Sequence, residues 1–257
     1  MGIMDALSNQ FIEVIEWMDA RPEDLVYQLP VRGREIKLGA QCIVRESQAA
    51  VFFRDGKALD ILGPGRHTLT TMNVPLLTKL LSLPFGGNSP FKAEVYFVSL
   101  RELTDQKWGT PAPVMMRDAE FGPVRLRAFG AYSFEVADPQ LFVNKIVGTA
   151  GLFTTDQISD FLKRMIVTRF TDLLGEMKIP ALDLASKYDD LSAAGKAKIE
   201  QDFKNYGVRA KSFYLQNISL PEEVEKALDQ RTKMGVIGDL GRYTQYQTAE
   251  AIRDAAQ

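Results

Sequence analysis

A chain of 257 residues that is 46% hydrophobic, 25% charged and 10% aromatic has the composition of a folded protein, which excludes the disordered, collagen-like and disulfide-braced classes. Its net charge of −2 provides no global basic field to attract nucleic acid. One cysteine, Cys42, and one histidine, His67, leave no spacing for a His/Cys metal site, and Cys42 in its apolar run reads as a small buried hydrophobe of a reducing compartment.

No stretch approaches the roughly 18 apolar residues of a spanning helix. Residues 74–85 come nearest and are broken by Pro75, Thr78, Lys79 and Pro84. The N-terminus lacks the basic start and continuous apolar run of a signal peptide. Its Met1-Gly2 start fails the myristoylation pattern, because Ala6 stands where Ser or Thr is needed. The expectation is a chain that stays on the side of the membrane where it is made and meets lipid from the surface or through a partner.

Residues 3–19 carry the cleanest helical pattern: Ile3, Met4, Leu7, Phe11, Val14, Ile15 and Met18 fall in one arc roughly 120° wide. Arg21-Pro22 ends that predicted helix. From Leu25 to about Val136 the texture is β. Cys42–Arg45 and Val51–Phe53 are apolar runs around the polar Glu46-Ser47-Gln48, and Asp55-Gly56 has hairpin-turn chemistry before Lys57–Leu62. Gly63-Pro64-Gly65 predicts a turn. A Gly/Asn/Ser/Pro loop at 84–90 precedes a strand over Ala93–Leu100. Arg125–Val136 alternates most clearly, with Leu126, Ala128, Gly130, Tyr132, Phe134 and Val136 on one face and Arg125, Arg127, Ser133 and Glu135 on the other.

At Asp138-Pro139 the period changes, since Asp is a good N-cap and Pro suits the first helical position; the predicted helix runs to about Val147. A second begins near Thr155 with Ile158, Phe161, Leu162, Met165, Ile166, Phe170 and Leu173 as its buried stripe. A third covers about Ser186–Tyr206 and stops at Gly207. Val208–Ile218 returns to strand, and Ser219-Leu220-Pro221-Glu222-Glu223 opens a last helix with acids in its first turn. Val224 and Leu228 continue a helical stripe that Gly235, Gly238 and Gly241 interrupt. The uncapped end predicts a helix that continues past residue 257.

This order resembles the SPFH, or Band 7, family of stomatins, prohibitins, flotillins and bacterial relatives. The resemblance rests on Gln41–Leu62 ending in Gly63-Pro64-Gly65-Arg66-His67, on Arg127–Phe134 followed by Asp138-Pro139, and on Tyr206-Gly207-Val208 followed by Ile218-Ser219-Leu220-Pro221-Glu222. Glu223–Arg231 stands where family members start their coiled coil, and the likeness covers about residues 30–235. More narrowly, Val44-Arg45-Glu46-Ser47-Gln48, Asn88-Ser89-Pro90-Phe91-Lys92-Ala93 and Met234-Gly235-Val236-Ile237-Gly238 resemble a bacterial "virion core protein-like" branch linked to envelope stress. The members of that branch often end in a glycine-rich stretch and a zinc ribbon.

The resemblance implies an α+β SPFH domain over residues 25–220, with a β-rich N-terminal half of antiparallel strands and helices packed against it. An amphipathic helix over 1–20 precedes it, and the start of an oligomerisation helix over 221–257 follows. It implies a homo-oligomeric scaffold, peripheral to the cytoplasmic face of the cell membrane, whose partners are itself and membrane proteins or the membrane surface. Neither enzyme activity, cofactor, small-molecule substrate nor nucleic acid is implied. A soluble adaptor that recruits a partner without touching lipid is the alternative. An enzyme would need a convergent polar pocket that the sequence does not advertise.

The candidate contact residues are Ile3, Met4, Leu7, Phe11, Val14, Ile15 and Met18 for membrane or partner, and Val224, Leu228, Gly235 and Gly238 for oligomerisation. Residues 1–20 contain no Lys or Arg, so anionic lipid would repel the polar face of the first helix, and packing on its own domain or on a partner is the other reading. Glycines at a spacing of three match neither a P-loop nor a dinucleotide fingerprint and read as a helix contact or hinge. Gly63–Thr68 lacks the following helix of an anion site, and His67 reads as an ordinary strand residue. Arg125 and Arg127 share one strand face, with Arg101 and Arg117 nearby in sequence, and read as a solvated or salt-bridged face.

Overall fold

The computed structural model describes residues 14–18, 21–30, 40–54, 57–69, 93–119, 121–148, 152–181 and 183–220, with Glu225, Lys226, Asp229 and Thr248 beyond them. In chain order the described strands are β1 (Val14–Glu16), β2 (Asp24–Gln28), β3 (Gln41–Val44), β4 (Gln48–Arg54), β5 (Lys57–Leu62), β6 (Gly65–Thr68), β7 (Ala93–Ser99), β8 (Leu103–Gly109), β9 (Val114–Asp118), β10 (Gly122–Val136), β11 (Leu152–Thr154) and β12 (Val208–Ser219). The described α-helices include α1 (Pro139–Phe142), which runs on as a π turn over Val143–Val147, then α2 (Thr155–Met177) and α3 (Tyr188–Lys204), the last preceded by a 3₁₀ turn over Leu184–Lys187. This is an α+β fold with a β-rich first half, as the sequence predicts.

The strands form three sheets: β1-β3-β6, β11-β2-β7-β4-β5, and β12-β10-β8 with β9 on the far stretch of β10. The five-stranded sheet is antiparallel throughout and separates two hydrophobic cores. Ala50, Phe52, Val95 and Phe97 face one core with Cys42, Val44, Ile15 and Trp17. Val51, Phe53, Tyr96 and Val98 face the other, with the helices. Burial on both faces is why these two strands read as continuous apolar runs rather than as alternations. The hairpin expected around Asp55-Gly56 is present in its arms, with Arg54 opposite Lys57; the two turn residues lie outside the described set.

One expectation is overturned. Val14–Glu16 pair in parallel with β3 and are strand, not the continuation of a helix over 3–19. Val14, Ile15 and Met18 fit a helical arc, but Ile15 and Trp17 also fit a period of two, and they are the residues the fold buries. Trp17 stacks on Tyr27 with ring centroids 6.0 Å apart, and its carbonyl accepts from the Gln48 side chain at 3.3 Å. Tertiary contacts supplied by β2, β4 and β7 settle the ambiguity. Residues 3–13 of that predicted helix lie outside the described set.

The second half follows its local signals closely. Asp138 caps α1 by accepting the Leu141 N–H at 2.9 Å. The Gln157 side chain reaches back to the Thr154 N–H at 2.9 Å at the start of α2. The stripe of α2 buries Ile158, Leu162, Ile166, Phe170 and Leu173. Beyond α3, Gly207 takes φ +73°, a conformation that favours glycine, and the chain turns into β12. Helices α2 and α3 cover the inner face of the β8-β10-β12 sheet, where Trp108 packs between Phe170 and Phe213 at centroid distances of 4.9 and 5.0 Å. Hydroxyls of α3 also occupy backbone donors of β12: Ser192 takes the Leu215 N–H at 3.0 Å and Tyr188 that of Ile218 at 2.9 Å. These bonds blunt an edge that would otherwise be open to another strand.

Candidate interaction surface

Of the residues that the sequence offers for membrane or partner contact, Ile3, Met4, Leu7 and Phe11 lie outside the described set, as do Val224, Leu228, Gly235 and Gly238. Val14 and Met18 are exposed on β1 and its end. Ile15 is a core residue and not an exposed contact, because the strand points it inward beside Trp17. His67 sits in β6, its Nε2 2.8 Å from the Gly63 carbonyl across the turn, and is the strand residue expected.

The side chains that share an exposed face are elsewhere. In β10 the even positions from Val124 to Val136 point to the helices, so the odd positions point away from them. Cross-strand register extends that outward face over its neighbours: Arg125 lies opposite Met115 of β9, Phe129 opposite Gly109 of β8, and Ala131 between Lys107 of β8 and Tyr214 of β12. A bulge in β12 re-phases its alternation here. Asn217 opposes Phe129 but Leu215 opposes Gly130, so Gln216 is the extra residue. A second bulge makes Lys211 an extra residue, since Ser133 opposes Ser212 but Phe134 opposes Ala210; between the two bulges Phe213 and Leu215 turn into the core and Tyr214 turns out.

The resulting face presents Met115, Phe129 and Tyr214, exposed to 64%, 48% and 61%, among the exposed cations Lys107, Arg117, Arg125 and Arg127. Toward the Val136 end of β10 the cations are paired with acids: Arg209 and Lys211 both pair with Glu135, at 2.9 and 3.5 Å, and Ser133 donates to a second carboxylate, Glu102, at 2.6 Å. No such ion pair joins Lys107, Arg117, Arg125 or Arg127 among the described residues. Arg101 is not part of this face; it donates to Ser99 and to the Pro22 carbonyl. The sequence alone puts Arg125 and Arg127 on one face but does not bring the aromatic side chains to it beyond Arg127. Phe129 was legible at an odd position of the same strand, whereas Tyr214 depends on bulges that no local pattern announces.

A second concave feature lies between α2 and α3. Phe161, Arg164, Met165, Thr168, Arg169 and Asp202 line it. Arg169 fills its polar side, donating to both oxygens of Asp202 at 2.6 and 3.0 Å, with Asp172 at 3.6 Å. The hydrogen bonds from Arg169 hold the Asp202 carboxyl below the usual carboxylate range. Burial pushes the Cys42 thiol up to about 12 and raises the Tyr132 phenol as well. In these three groups the surroundings move titration away from neutral pH. Asp118 is a buried acid, but its two oxygens take the backbone N–H groups of Phe121 and Ala181 at 2.9 and 2.6 Å, tying β9 to the chain after α2. Among the described residues no group of three or more His, Cys, Asp or Glu side chains stands together as metal ligands, and no described helix is long and apolar enough to cross a membrane.

A family model described as "SPFH domain-Band 7 family" matches residues 26–236. The chain is also similar to a protein of Bacillus subtilis (strain 168) described as "Uncharacterized protein YdjI". The two are 25% identical over 251 residues, covering 97% of this chain and 77% of the other.

Proposed function

The chain belongs to the SPFH domain–Band 7 family, a family of membrane-associated scaffolds, and from that premise we propose that it is a non-enzymatic, self-associating scaffold at the cytoplasmic face of a bacterial membrane. It organises or recruits membrane proteins there, as part of an envelope stress response. The observation that carries this reading is the family match across nearly the whole described fold, 26–236. The mechanism is avidity: contacts that are weak in one subunit become strong once many subunits share one assembly.

Self-association is assigned to the stripe that Val224 and Leu228 begin. Leu228→Asp is expected to lower the oligomeric mass measured by light scattering, and an unchanged mass removes that segment from the account. Membrane placement is tested by vesicle flotation of the intact chain beside one lacking residues 1–13. The cut stops at 13 because β1 contributes Ile15 to the core. Flotation of the intact chain supports the scaffold reading. If neither chain floats while both stay folded, the soluble-adaptor reading replaces it.

A further inference from the structure

The β8-β10-β12 sheet is covered on its inner face by α2 and α3, and its outer face carries a charge opposite in sign to the whole chain. The protein has a net charge of −2, yet Lys107, Arg117, Arg125 and Arg127 are gathered on this face, exposed and outside the ion pairs that Glu135 makes at its far end. Their arrangement is fixed by strand geometry rather than by flexible loops. Arg125, Arg127, Phe129 and Ala131 follow one another at alternate positions of a single strand, a row of about 20 Å. Met115 stands beside Arg125, and Tyr214 and Lys107 flank Ala131.

Cations interleaved with Tyr, Phe and Met suit one chemistry well. Guanidinium and ammonium groups bind phosphate oxygens, aromatic rings settle at the headgroup level, and long basic side chains lie along an apolar boundary while keeping their charge in the polar layer. We propose that the outward face of β9, β10, β8 and β12 is a docking surface for anionic lipid, with Lys107, Arg125 and Arg127 on the headgroup phosphates and Met115, Phe129 and Tyr214 entering the interfacial layer. The inference rests on the membrane placement proposed above and deepens it. It assigns lipid contact to a rigid sheet instead of the N-terminal segment, whose first 20 residues hold no Lys or Arg. Each cation near such a surface contributes about a fivefold gain in binding.

The test is flotation of the full chain with neutral phosphatidylcholine vesicles and with vesicles containing phosphatidylglycerol. The wild type is compared with the double variant Arg125→Gln/Arg127→Gln and with Arg164→Gln on α2. Thermal unfolding and oligomeric mass are measured on the same samples. The expected result is binding to anionic vesicles only, weakened about 25-fold in the double variant at unchanged midpoint and mass and nearly unaffected by Arg164→Gln. A second readout uses Tyr214→Cys labelled with an environment-sensitive dye, since the chain's one cysteine, Cys42, is buried; the dye emission is expected to shift to the blue on anionic vesicles.

Equal flotation of the double variant, or equal weakening by Arg164→Gln, overturns the assignment to this face and leaves membrane placement standing. A dye that stays water-exposed on floating protein has the same consequence. Absence of flotation on any vesicle overturns both readings. Retention of a single-stranded oligonucleotide without vesicle binding assigns the face to nucleic acid and overturns the lipid proposal.

Discussion

Gly130→Ala adds one methyl group at the point where β10 passes a bulge of β12. A Cβ on residue 130 would meet the Tyr214 carbonyl oxygen and carbon, the latter at 3.0 Å, and would stand 2.9 Å from the Trp108 indole nitrogen. The carbonyl is backbone and belongs to a paired strand, so it has little room to retreat. The indole N–H donates to that same carbonyl at 3.4 Å, so relieving the clash also breaks this bond. Overpacking of this kind costs about 1–3 kcal/mol, and orphaning the buried indole donor costs about as much again. The total, about 2–6 kcal/mol, is a large share of the 5–15 kcal/mol, in order of magnitude, that holds a domain together.

At about 2–4 °C per kcal/mol for a chain of this size, the midpoint should fall by about 4–24 °C. The same substitution at Gly175 provides the contrast. That glycine lies exposed near the end of α2, and a Cβ there meets nothing within 4 Å, so Gly175→Ala should raise stability by about 0.5–1 kcal/mol through helix propensity. Urea and thermal unfolding followed by circular dichroism read both. A Gly130→Ala midpoint equal to or above that of the wild type would refute the packing argument.

Asp202→Asn should lower the thermal midpoint at pH 7 by about 2 °C, as expected of a partly exposed pair. Because the folded-state value of Asp202 is depressed, its contribution is present above the ordinary carboxylate value and is lost as pH falls through the folded one. The wild-type and variant midpoints should therefore converge in strong acid. A difference that persists below pH 2 would mean that Asp202 acts through packing and not through charge. Cys42 should resist a thiol-exchange reagent at pH 8 and react stoichiometrically in urea, since the native thiol is buried and held at about 12; immediate reaction of the native protein would contradict its place in the core.

The alternation of β10, the capped starts of α1 and α2, the stripe of α2 and the Gly207 turn were all legible in the sequence. Each is a local preference, set by neighbours within a few residues, that tertiary packing had only to accept. The α+β class and the family resemblance followed from their order. Arg125 and Arg127 could be placed on one face for the same reason, since a period of two fixes which side chains stand together on one strand.

Local preference could not decide two matters, and both concern where this protein meets others. Residues 14–18 fit two periods equally well; only the Trp17 stack on Tyr27 and the parallel pairing with β3 made them strand, which removed Ile15 from the surface. The outward face of the sheet brings Met115, Lys107 and Tyr214 to Arg125 and Phe129 from chain segments up to 89 residues away in sequence. Bulges at Lys211 and Gln216 set which way Tyr214 points. Strand register and bulges are properties of a pair of strands, so a surface built across several strands exists only once the sheet has formed.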